Sequence, residues 1–91
     1  MKNPGGVLVF GQHLRHLRGG HGWSQQELAD RANIDKMTVH RIETARMAAT
    51  IDVLLSLTKA LEIPLRELVN CPGMEDADHV TRSGGTGADS Q

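Results

Sequence analysis

The stretch SQQELADRANIDKMTVHRIET, residues 24–44, decides how this 91-residue chain folds. Ser24 is a good helix N-cap, and Glu27 follows at the spacing at which a capping box satisfies the free N–H groups of a first turn. A helix is expected to open at Gln25, with Leu28, Ala29 and Ala32 facing inward at helical spacing and Gln26, Asp30 and Arg31 left to solvent. The small Ala29 suits a close helix crossing. At Asn33 the periodicity breaks, and asparagine tolerates the left-handed conformation that ends one helix and turns the chain sharply. Ile34 can then plug the corner.

Asp35 reads as a second N-cap, so another helix is expected over residues 36–44. At about 100° per residue its side chains divide between two faces. Thr38, Val39 and Ile42 fall on the side that packs inward, and Lys36, Met37, His40, Arg41 and Thr44 fall on the other. That outer face is short, polar and partly cationic. Its donors suit guanine O6 and N7, and its methionine suits a thymine methyl.

The pattern Ser-Gln-x-Glu-Leu-Ala, a turn residue, then Thr-Val-x-x-Ile-Glu resembles the helix-turn-helix of the phage repressor and Cro type, the Xre family. Downstream, IDVLLSLTKALEIPLREL resembles the same family's fourth and fifth helices, so the likeness covers residues 9–69. It implies an all-α, five-helix, lambda-repressor-like DNA-binding domain. It also implies that Gln25 and Arg46 meet DNA phosphates, and that Arg18 and Glu43 form an ion pair linking the first helix to the end of the recognition helix. The residues expected to contact DNA are Gln25, Lys36, Met37, Thr38, His40, Arg41 and Arg46, with Thr38 also expected to pack inward. Ala45 departs from the family, which usually has glycine there and proline shortly after.

Around this motif the chain reads as support. Asn3-Pro4-Gly5-Gly6 marks residues 1–6 as a flexible lead, with the first helix beginning near Val7 or Leu8. Val7, Phe10, Leu14 and Leu17 recur at spacings of three and four and form one buried stripe, with Arg15 and His16 off it. Gly19, Gly20 and Gly22 are expected to end that helix, and Trp23 to staple the next by packing near Leu28. Thr50 caps a fourth helix with Asp52 in its first turn, where negative charge suits the helix dipole. Ile51, Leu54, Leu55, Leu57, Thr58 and Leu61 form its apolar band, and Pro64 can begin a fifth helix through Leu65, Leu68 and Val69. Leu55, Leu65 and Val69 exceed what one small core needs and point to an association surface.

Residues 1–70 hold nine Lys and Arg against seven Asp and Glu, whereas residues 71–91 hold one Arg against four acids. The domain is therefore expected to span residues 7–70 and to be weakly basic. Residues 71–91, rich in Gly, Ser and Asp, read as a disordered acidic tail. DNA binding would rest on placed charges more than on a broad basic field. Thirty-eight per cent hydrophobic residues with one Trp and one Phe give an aliphatic core, and a single cysteine excludes an internal disulfide. His13, His16 and His21 lack the cysteines or carboxylates that would complete a metal site, so no metal and no cofactor are expected. No signal peptide and no apolar run long enough to span a membrane are visible, which favours a cytoplasmic address.

The expected function is that of a sequence-specific transcriptional regulator, a repressor acting as a homodimer on a palindromic double-stranded operator, and not an enzyme. Two alternatives stay open: an antitoxin that binds a toxin partner while controlling its own operon, and an adaptor that uses the same fold to bind proteins without DNA.

Overall fold

The computed structural model describes residues 4–71, over which the chain forms α1 (Pro4–Gly20), α2 (Gln25–Ala32), α3 (Lys36–Glu43), α4 (Ile51–Leu61) and α5 (Leu65–Val69). No strand occurs among the described residues. The first helix starts earlier than the glycines suggest, because Pro4 is its first residue. Proline has no N–H, which a first turn would leave unused, and its φ is already helical. Gly5 and Gly6, expected in the flexible lead, thus lie inside α1. Residues 1–3 and 72–91, with the rest of that lead and nearly all of the acidic tail, lie outside the described residues. Gly19 and Gly20 also remain helical, and only Gly22, at φ 72°, takes the left-handed turn that closes α1.

Successive helix ends close in a common way. After α1, Trp23 N–H reaches Arg18 C=O and Gly22 N–H reaches Gly19 C=O; after α2, Ile34 N–H reaches Ala29 C=O; after α3, Arg46 N–H reaches Arg41 C=O; after α4, Ile63 N–H reaches Thr58 C=O. Each bond wraps over a residue in the left-handed region: Gly22, Asn33, Ala45 and Glu62, at φ 72°, 57°, 61° and 58°. This is the Schellman closure, which satisfies the last carbonyls of a helix. Ala45 therefore keeps the backbone shape that a glycine would give, at the steric cost of its Cβ. The helix starts differ more. Ser24 and Glu27 form the full capping box, at 3.0 and 2.9 Å, and the Thr50 hydroxyl accepts the Val53 N–H. Asp35 has N-cap backbone geometry, but its side chain makes no cap bond, so α3 opens on the Asp35 carbonyl alone.

Each helix gives the core at least one side chain with no exposed surface: Leu14, Leu28, Val39, Leu57 and Leu68. Burying each such side chain contributes about 1.5–3 kcal/mol. Helix α3 packs on both α1 and α2, α4 packs on α2, and α5 packs on α4 and α1. The core extends to Cys71, which is 4% exposed and whose burial pushes the thiol pKa up. Ile51, expected in the buried band of α4, is instead 67% exposed. It is the first residue of its helix, where the turn has not yet reached the core. No helix among the described residues is long and apolar enough to cross a membrane.

Gly11 sets how closely α1 approaches α3. It is buried, and a Cβ built there would fall inside contact distance of the Ile42 carbonyl oxygen and 3.2 Å from that of Glu43. Helix propensity favours alanine over glycine by about 1 kcal/mol, but the obstacle is backbone and cannot swing aside. Gly11→Ala is expected to lower stability by about 1–3 kcal/mol, whereas Ala45→Gly is expected to raise it by up to about 1 kcal/mol. Urea denaturation of both variants checks the pair of opposite signs.

Candidate nucleic-acid interface

The third helix, KMTVHRIE, carries one acid, Glu43, at its last position. Its side chain is 2% exposed and turned inward. Arg18 of α1 grips it with both sides of its guanidinium, Nε donating to Oε2 at 2.7 Å and Nη2 to Oε1 at 3.0 Å. The third nitrogen, Nη1, donates to the Trp23 carbonyl at 2.7 Å. Gln25, the first residue of α2, donates its Nε2 to Glu43 Oε1 at 3.1 Å. One carboxylate thus ties together the end of α1, the turn after it, the start of α2 and the end of α3. The Glu43 hydrogen bond raises the Arg18 pKa above its ordinary value.

The consequence is electrostatic as well as geometric. With the carboxylate of α3 buried and neutralised, the face left in water carries Lys36, Met37, His40 and Arg41, all exposed, with Met37 at 53%. Lys36, Arg41 and the exposed Arg46 make no ion pair among the described residues. Thr38 lies half-buried on the border between the two faces of α3, while Val39 and Ile42 are buried. Thr44 is exposed, but its hydroxyl is spent on the His40 carbonyl at 2.7 Å. Gln25 is placed differently from a free surface amide, being half-buried and anchored on Glu43.

Several features escaped the sequence reading. Gly11 stands in the buried stripe of α1, and an isolated glycine in a helical pattern is itself a sign of close backbone approach. Trp23 is half-buried against the core to which Leu28 belongs, but its ring is also stacked by His21 at 4.2 Å, and the Arg31 guanidinium lies 4.3 Å from its centre. His13, set aside as an incomplete metal ligand, approaches the Glu67 carbonyl at 3.2 Å and links α1 to α5.

Comparison with known proteins agrees with this geometry. A family profile described as a helix-turn-helix domain matches residues 9–70. The chain belongs to the helix-turn-helix domain family. Within solved structures, this helix-turn-helix chain is similar to the restriction-modification controller protein C.AhdI of Aeromonas hydrophila, at 37% identity and a TM-score of 0.66 over 68% of this chain and 94% of the controller. It also shares its fold with a hypothetical transcription factor, NHTF, of Neisseria, at 24% identity and a TM-score of 0.71 over 82% of this chain and 86% of that one. A protein of Pyrococcus furiosus named as an HTH-type transcriptional regulatory protein is 34% identical over 59 residues, which is 65% of this chain but only 19% of the relative's length.

If the Arg18–Glu43 pair holds α3 in place, removing either partner leaves the other buried without its counter-charge. Arg18→Ala and Glu43→Ala are each expected to cost about 3–5 kcal/mol. Their effects should be strongly non-additive in a double-mutant cycle measured by thermal or urea denaturation, and coupling near zero would show a solvated, dispensable pair.

Proposed function

We propose that this helix-turn-helix domain is a sequence-specific regulator of transcription, acting as a repressor, which lays α3 in the major groove of its operator. The observation that supports this best is the exposed, unpaired cationic face of α3, left without a competing acid because Glu43 is folded inward. Lys36 and Arg41 then supply donors for guanine edges and Met37 an apolar surface for a thymine methyl, while His40 and Thr38 flank them. Arg46, whose N–H makes the Schellman closure of α3, and Gln25, at the start of α2, meet phosphates and set the register without reading bases.

Recognition as a homodimer fits the surface of α4 and α5. Ile51 and Leu55, four residues apart on α4, are 67% and 45% exposed, and Leu65 and Val69, four apart on α5, are 39% and 38% exposed. Large apolar side chains grouped on two packed helices suit a second copy of the chain, and two-fold symmetry would pair with a palindromic site. Sedimentation of the protein should show a dimer that Leu55→Lys weakens; a monomer at high micromolar concentration would contradict it.

A second reading of the target is favoured by the likeness to C.AhdI across nearly all of that protein: the regulated genes are those of a restriction-modification pair. Selective binding to promoter DNA of such a pair, and not to other upstream DNA, supports it.

Fluorescence anisotropy with the DNA upstream of the gene tests the DNA-reading itself. Lys36→Ala and Arg41→Ala should each lose about 1–3 kcal/mol on the operator and relax specificity at one position. Arg46→Ala should weaken operator and scrambled DNA alike and reduce the salt slope by about one. Equal losses on both DNAs for all three variants would leave α3 without a reading role.

A further inference from the structure

We infer that Glu43, whose side chain is buried, is the positioning residue for the phosphate contact made by Gln25. This rests on the DNA-reading proposed above and assigns Glu43 a task besides holding the ion pair. Arg18 already satisfies both oxygens of the Glu43 carboxylate, at 2.7 and 3.0 Å, so the further bond from Gln25 is not required to compensate the charge. What that bond does is fix Gln25. A glutamine side chain that begins a helix has three rotatable bonds and would otherwise sample many rotamers, each of which must be frozen out to bind a ligand.

The chemistry of the amide completes the case. A carboxylate only accepts, so the group facing Glu43 is the NH2 and not the carbonyl. That nitrogen carries two protons, one taken by Glu43. The other has no partner among the described residues, and Gln25 is half-buried at the helix start. An anion at the start of α2 can take this second N–H without disturbing the first. The partner so recognised is a phosphate oxygen of the DNA backbone.

The test has two arms. Gln25→Ala leaves the bidentate ion pair intact, and anisotropy should show about a tenfold loss of affinity, the size of one hydrogen bond to a charged group. The loss should be equal on operator and scrambled DNA, with an unchanged salt slope because a neutral amide releases no counterion. The apolar replacement Arg18→Met/Glu43→Met removes the anchor and loosens α3 as well, so its own loss is the larger one, but adding Gln25→Ala to it should cause no further loss. In the second arm, which needs no substitution, the two Nε2 protons of Gln25 are followed by NMR as operator DNA is added: the proton bonded to Glu43 stays protected while the other shifts. No loss for Gln25→Ala, a loss confined to the operator, additive losses, or release of the Glu43-bonded proton in the complex would each overturn the inference. Failure of the unaltered protein to bind any DNA would instead overturn the reading on which it rests.

Discussion

The carboxylate of Glu43, held by Arg18 across the gap between α3 and α1, is the constraint on which the presentation of α3 depends. A buried ion pair of this kind gives little net stability over well-packed apolar residues of the same volume. Its contribution is geometric. The bidentate grip at 2.7 and 3.0 Å fixes both the distance and the rotation of α3 against α1, and the third guanidinium nitrogen fixes the turn that leads into α2. The same contact removes the one negative charge of α3 from the face that meets solvent. In a domain whose first 70 residues carry only a small basic excess, pairing that acid with Arg18 leaves the exposed face of α3 without a negative charge of its own.

Backbone contacts support this arrangement where side chains cannot. Gly11 lets α1 lie against the carbonyls at the end of α3, the same place where Glu43 is gripped. The left-handed closures at Gly22, Asn33, Ala45 and Glu62 turn the chain sharply between successive helices, so that all five share one core. Because α2 and α3 are eight residues each, neither would be stable alone, and their helicity comes from packing of one apolar face. The exposed face of α3 is thereby free to be chosen for chemistry rather than for folding.

Much of this was legible in the sequence, and the reason lies in local rules. The Ser24–Glu27 box, the Asn33 turn and the Leu28, Ala29, Ala32 stripe are signals read within a few residues, and they stand where the pattern put them. The division of α3 into buried Val39 and Ile42 and exposed Lys36, Met37, His40 and Arg41 followed from helical geometry alone. What was not legible depends on partners distant in the chain. The amide of Gln25 meets a residue 18 positions away, Gly11 answers to the carbonyls of Ile42 and Glu43, and Pro4 starts a helix despite the two glycines that follow it. The Arg18–Glu43 pairing itself came from a family likeness, since no periodicity connects residues 25 apart.

The most direct test of the account is a map of backbone amide shifts over residues 4–71 as operator DNA is titrated into the labelled protein. The account predicts that the largest changes fall on the start of α2, on Lys36 through Arg41 and on Arg46, with Glu43 and its immediate neighbours shifting little because the bonds of Glu43 are already made. Changes centred on α4 and α5, with α3 unmoved, would show that the nucleic acid meets a different face and that the burial of Glu43 serves the fold alone.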